Sequence, residues 1–258
     1  MNFTGQGRPI TDKGMSDVCE LLGVGEAEIW AVLTVETRGF GFLDDRRPQI
    51  LFERHIFSRQ TGGKHDAKHG DISSTKPGAY KGGAGEYDRL GKAMRLAQED
   101  ALKSTSWGLP QVMGFNYRVV GFDSVTAMIN AFVEGEDPQL QALGQFIVAH
   151  PKCRNGIQRH DWGTLASCYN GPNFRLNDYD NRLAAAYEKA KRIIPDLGLR
   201  AAQVALTYLG YNPGPVDGLR GRLTRSALIE FQTKHKLTAS GELDHDTDAK
   251  LTEEAFKP

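Results

Sequence analysis

Apolar residues recur at helical spacing along most of this chain. Ile29, Val32 and Leu33 form an i, i+3, i+4 stripe that predicts a helix over residues 26–35, ended by Gly39. Leu90, Ala93, Met94, Ala97 and Ala101 predict one long helix. The loop before it, residues 78–85, holds four glycines and calls for backbone angles that other residues avoid. Val125, Met128, Ile129 and Phe132 mark a further helix, and Leu140, Leu143 and Ile147 the next. Trp162, Leu165, Ala166 and Tyr169 mark a short one stopped by Gly171 and Pro172, and residues 178–194 close the region. Strand alternation is scarce, the best candidate being residues 49–52 after the turn residues 44–48. The pattern predicts a mainly helical α+β region with at most a small sheet.

Pro195 interrupts the helical pattern, and beyond it short helices alternate with Gly- and Pro-rich turns. A boundary is expected there, giving domains of residues 1–194 and 195–258. In the second, Gly214, Val216, Asp217 and Thr224 are echoed by Gly241, Leu243, Asp244 and, at shorter spacing, Thr247, which suggests two related turn-then-helix units. Thr224 and Thr247 read as helix N-caps, with Ala227, Leu228 and Phe231 as the buried face of the first helix.

Lys plus Arg and Asp plus Glu both number 32 in 258 residues, so the net charge is zero. That excludes a broad electrostatic grip on nucleic acid or anionic lipid. No window approaches the ~20 apolar residues of a spanning helix, and the amino terminus lacks the apolar stretch of a secretory signal. The expectation is an unexported monomer without membrane insertion. Cys19, Cys153 and Cys168 form no CxxC pair and no disulfide framework, so reduced thiols are expected and no cofactor is implied. His65 and His69 have i, i+4 spacing, but the Gly62, Gly63, Lys64 and Lys68 around them describe a solvated loop, so no metal is expected.

Glu36 continues the apolar stripe, lying three, four and seven residues after Leu33, Val32 and Ile29. Desolvation on that face and the negative end of the helix dipole both favour its protonated form, as a general acid requires. A glutamate paired with Arg38, Arg46 or Arg54 is the alternative on position alone.

The words around it carry a resemblance. Val35-Glu36-Thr37-Arg38-Gly39-Phe40-Gly41-Phe42 is followed by Arg47-Pro48-Gln49-Ile50-Leu51-Phe52-Glu53-Arg54-His55. Ser106-Trp107-Gly108-Leu109-Pro110-Gln111-Val112-Met113-Gly114 and Leu165-Ala166-Ser167-Cys168-Tyr169-Asn170-Gly171-Pro172 come later in the same order. Over about residues 10 to 194 the chain resembles the lysozyme-like N-acetylmuramidase domain of phage endolysins. The resemblance implies that Glu36 is the acid and that the bond cleaved is the glycosidic bond after N-acetylmuramic acid in peptidoglycan. Tyr169 and Asn170 are then expected to meet the sugar and its N-acetyl group, with Gln111 and Ser106 in the wall of the cleft. Pro110, where a bulky apolar residue is expected, is compatible with a helix start.

A second carboxylate is usual in such chemistry. Asp44, Asp45, Glu53 and Glu86 are the candidates, and Glu86, after the glycine-rich loop, is placed over the cleft or at a helix start. Glu53 is expected to pair with an arginine. The tail is similar to the three-helix peptidoglycan-binding domain through Leu209-Gly210-Tyr211, Pro215-Val216-Asp217-Gly218, Gly221, Thr224, Ala227, Phe231-Gln232, Leu237 and Gly241. A tethered wall-binding domain raises the effective substrate concentration at the cleft. The combined expectation is a peptidoglycan hydrolase held in the host cytoplasm until lysis. A lytic transglycosylase and a non-catalytic wall-binding protein are the rivals.

Overall fold

The computed structural model describes residues 2–37, 40–171 and 174–256, without the side chains of Glu36, Thr37, Asn170, Phe174 and Leu176. Gly39 and Pro172, expected to end helices, lie outside the described residues. Helix α1 (Asp12–Leu22) starts on the Thr11 side chain, which accepts from Gly14 N, and ends at Gly23 in the left-handed region. Helix α2 (Glu26–Thr37) follows. It is not the one-sided helix that its stripe predicts: Ile29, Trp30, Ala31, Val32, Leu33 and Val35 are all buried, and Thr34 alone between them is exposed. A helix that is apolar nearly all round belongs in the centre of a domain, and α2 is the central helix of the first core.

Strand β1 (Ile50–Phe52) pairs antiparallel with β2 (Thr105–Trp107), and β2 with β3 (Val112–Met113). Between β1 and β2 lie α3 (Arg54–Gln60), α4 (Gly85–Leu96) and α5 (Gln98–Lys103). The single long helix expected through Ala101 is thus two, broken where Ala97 adopts φ −157°. The break swings α5 against β2, where Thr105 Oγ1 donates to Ala101 O and Trp107 Nε1 donates to Leu102 O. The sheet, α4, α5 and α6 (Val125–Glu134) enclose a second core around Phe52, Phe57, Trp107 and Phe132. Helix α7 (Glu136–Ala149) is the wall between the cores: Leu140, Leu143 and Ile147 face the first, Ala142 the second.

Helices α8 (Pro151–Gln158) and α9 (Trp162–Asn170) pack against each other. Their packing brings Cys153 and Cys168 to a Cα separation of 5.5 Å, and the two form a disulfide. This overturns the expectation of reduced thiols. Sequence spacing gave no hint of it, because the pairing depends on how α8 and α9 cross. Cys19 is the free cysteine, its thiol pushed up to about 11 by burial and by Glu26 and Glu28. Helix α10 (Tyr179–Arg192) then lies along α2.

After Pro195, helix α11 (Leu197–Tyr208) is capped by the Asp196 side chain, and α12 (Arg222–Lys234) and α13 (His245–Ala255) complete a small core around Leu206, Phe231 and Leu251. The N-caps are Gly221 and Asp244, not Thr224 and Thr247. Both threonines are buried inside the first turn and bind a glutamine from the preceding helix. Gln203 accepts from the amides of Asp217 and Gly218 and donates to Leu219 O and Thr224 Oγ1. Gln232 accepts from the amide of Gly241 and donates to Glu242 O and Thr247 Oγ1. The repeat is real, but it pairs Gly218 with Gly241 rather than Gly214 with Gly241.

The tail is docked on the first region. Phe40 and Phe42 form a small cluster with Val204 and Val216, edged by Tyr208 and Phe256. Tyr208 Oη donates to Gly7 O at 2.9 Å, and Arg46 lies over the Tyr208 ring while donating to Ala255 O and Gln6 O.

Candidate active site

Glu36 occupies the last turn of α2. Its side chain lies outside the described residues, so the site is built from the backbone and the neighbours that hold it. Arg182 of α10 donates to Val35 O at 3.2 Å, binding the carbonyl end of α2 one residue before the glutamate. Beyond the helix, Phe40 and Gly41 run beside Gln49. Gln49 Nε2 donates to Phe40 O at 2.8 Å, and Gln49 N donates to Gly41 O at 2.8 Å. On its other side Gln49 O accepts from Gly108 N at 2.8 Å and from Gln111 Nε2 at 3.2 Å. One residue therefore joins the chain leaving α2 to the turn between β2 and β3.

That turn is built tightly. Gly108 (φ 67°) and Gln111 (φ 49°) both stand in the left-handed region. Ser106 Oγ donates to Gln111 Oε1 at 2.8 Å, and Gln111 Nε2 also donates to Gly108 O at 2.8 Å. The polar groups of Ser106 and Gln111 are thus spent on each other and on the turn. Their hydrogen bonds hold the shape of the turn. Pro110 sits within this turn rather than at a helix start, and its carbonyl accepts from Tyr169 Oη at 2.6 Å. Tyr169 is half-buried with its ring edge-on to Phe146, so the end of α9 is fastened to the same turn. The Asn170 side chain is outside the described residues. Gln139 of α7 completes the packing: its Oε1 accepts from Leu109 N at 2.6 Å, and it would meet a Cβ added at either Gly41 or Gly108 within about 2.5 Å.

Glu86 does not reach over a cleft. It is fully buried, accepting from the amides of Phe52, Lys81 and Gly82 and from Arg89 Nη1 at 2.7 Å. Burial alone would raise its carboxyl. The Lys81 and Gly82 amides and the Arg89 guanidinium outweigh that and hold it below the usual carboxylate range. It is the lock of the glycine-rich loop, whose Gly78, Ala79, Gly82 and Gly83 all have positive φ. Among the described residues Glu53 pairs with no arginine: it accepts from Tyr80 Oη at 2.9 Å and lies 3.1 Å from His55 Nδ1. Burial and Glu53 push the Tyr80 phenol up to about 12. Asp45 is spent on the Arg47 guanidinium and amide, while Asp44 is exposed. His65 stacks on Phe57, and Asp66 accepts from Ser58 and Ser73. Among the described residues no group of three His, Cys, Asp or Glu is arranged to hold a metal ion, and no helix is long and apolar enough to cross a membrane.

The sequence model of the N-acetylmuramidase family matches residues 25–191, which contain α2, the sheet and all but the last residue of α10. The chain belongs to that family. It is a lysozyme-like glycoside hydrolase that acts on peptidoglycan. A second model, described as a putative peptidoglycan binding domain, matches residues 196–251, which hold α11, α12 and the first part of α13. The muramidase is similar to the crystal structure of Burkholderia AP3 phage endolysin, with 36% identity and a TM-score of 0.67 over 72% of this chain and 72% of that one. No curated protein sequence matches it. Reasoning from sequence missed three residues that hold this region together: Gln49, Gln139 and Glu136, whose carboxylate accepts from Gly41 N. The signal for the last two was present, because both continue the Leu140, Leu143 and Ile147 stripe of α7.

Proposed function

We propose that this chain is an endolysin that hydrolyses the bond between N-acetylmuramic acid and N-acetylglucosamine, with Glu36 as general acid. One observation carries the reading: Gln49 ties the chain that leaves the Glu36 helix to the turn of Gly108 and Gln111, to which Tyr169 is also fastened. All four sequence words that carry the family resemblance thus converge on the same small region. Glu36 sits where the negative end of a buried helix raises a carboxyl toward neutrality, and it protonates the leaving oxygen. Tyr169 and Asn170 present a phenol and an amide to the sugar, while Ser106 and Gln111 fix the floor beneath it. The helices after Pro195 bind the wall polymer.

Glu36→Gln tests the assignment. It should abolish turbidity loss of purified cell walls while leaving wall pull-down unchanged, and retained lysis would refute it. Mass spectrometry of the wild-type digest decides the reaction: a reducing muramic acid end supports hydrolysis, whereas an anhydro end makes the enzyme a lytic transglycosylase. A bell-shaped wild-type activity profile whose upper limb falls near neutral pH, well above the ordinary glutamate range, would support the raised titration.

A further inference from the structure

The carboxylate of Glu136, the first residue of α7, is completely buried, and both oxygens are used twice. Oε1 accepts from Gly41 N at 2.9 Å and from Arg200 Nη2 at 2.8 Å. Oε2 accepts from Ile10 N at 3.1 Å and from Arg200 Nη1 at 2.5 Å. Arg200 belongs to α11, in the wall-binding region, and it too is completely buried. Its guanidinium lies 5.9 Å from the centre of the Trp30 ring, on α2 itself. The arginine that comes with the wall-binding helices therefore lies beside the acid's helix, and through one carboxylate it holds Gly41, in the segment that follows that helix.

We infer that Arg200 is a positioning residue of the muramidase site, acting through Glu136 on Gly41 and through Trp30 on α2. The inference rests on the reading of Glu36 as the acid. Gly41 has little freedom of its own here. Its carbonyl is held by Gln49, its amide by Glu136, and its Cα faces Gln139. The neighbouring Phe40 and Phe42 insert their rings against Val204 and Val216 of the tail. A planar guanidinium binding a carboxylate at two points fixes direction as well as distance, which a single point charge does not. Removing it leaves a buried charge facing two amides, and that charge must then find water or a new arrangement. Either response moves Gly41 in the segment that follows α2, and misplacement of a catalytic group by about 1 Å costs on the order of a hundredfold in rate. Binding helices that served only as an anchor would have no such effect on a substrate too short to reach them.

The test uses the full chain and a soluble, purified tetrasaccharide muropeptide, so that wall anchoring contributes nothing. Arg200→Met and Arg200→Lys are compared with wild type, with kcat referred to the fraction folded in the thermal melt. The expected result is a fall in kcat of at least about tenfold for Arg200→Met, a smaller fall for Arg200→Lys, and KM within twofold. Destabilisation alone would leave kcat per folded molecule unchanged. If Arg200→Met does not fold, Arg200→Lys decides, because it keeps the buried charge and loses the fork. A kcat within threefold of wild type in the folded variants overturns the inference, whatever KM does. Glu36→Gln in the same assay separates the two readings. An active Glu36→Gln sinks the acid assignment, whereas an inactive one beside wild-type Arg200 variants sinks only the positioning role.

Discussion

Breaking the Cys153–Cys168 cystine is a perturbation whose size follows from the fold. The bond closes a loop of 15 residues that contains the turn from α8 to α9. Loop-closure entropy for that length is about 3 kcal/mol at 25 °C, removed from the unfolded chain when the bond is present. In a protein of this size each kcal/mol corresponds to roughly 2–4 °C in Tm, so reduction should lower Tm by about 6–12 °C. Cys153 is fully buried, and Cys153→Ala/Cys168→Ala should reproduce the shift without reductant. Differential scanning calorimetry of oxidised, reduced and doubly substituted protein measures it. Thiol titration of the denatured protein before and after reduction should count one and then three. A reduced Tm within about 2 °C of the oxidised one, with three thiols titrated, would refute the argument.

Other perturbations probe other parts of the molecule. Glu86→Gln leaves Arg89 uncompensated in the interior and should cost about 3 kcal/mol at neutral pH by chemical denaturation. Because the folded carboxyl lies below its ordinary value of 4.5, its contribution is complete above that value and lost as pH falls through the folded pKa. The gap between wild type and variant should therefore close in acid, and a gap independent of pH would refute the ion-pair reading. Gly41→Ala sets a methyl group 2.4 Å from Gln139 Oε1 and 2.9 Å from Leu109 N. It should destabilise by about 1–3 kcal/mol and depress kcat on soluble fragments, and an unchanged melt and rate would show the site to be looser than described. Gln232→Leu strands the Gly241 amide and two acceptors inside the tail, so wall pull-down should be lost at a lower temperature than in the wild type; an unchanged temperature would refute the packing role given to Gln232.

Much of this architecture is legible in the chain because helix-period patterns survive tertiary packing. The positions of α6, α7, α9 and β1 follow from their apolar residues. What fails does so for identifiable reasons. Ala97 interrupts a continuous apolar pattern because α5 must turn to meet Thr105 and Trp107, a demand that comes from the sheet. The cystine is invisible because pairing depends on how two helices cross. Thr224 looks like a cap because capping residues and buried hydroxyls are the same residue types, and its true partner, Gln203, lies 21 residues away. The candidate site shows the limit most clearly. An inward carboxylate on an apolar stripe pointed to Glu36, and the same rule applied to α7 points to Glu136. The rule finds buried charge and does not tell an acid that works on substrate from one that holds the frame.

The docking of the tail changes how recognition and cutting are related in space. With Phe40 and Phe42 wedged against Val204 and Val216, and Arg46 reaching Ala255, the anchor cannot swing on a leash. The gain in local concentration expected of a flexible linker gives way to a ruler. The scissile linkage must fall at a constant offset from whatever the last three helices grip, so the stride between grip and cut is built into the interface rather than into a tether's length.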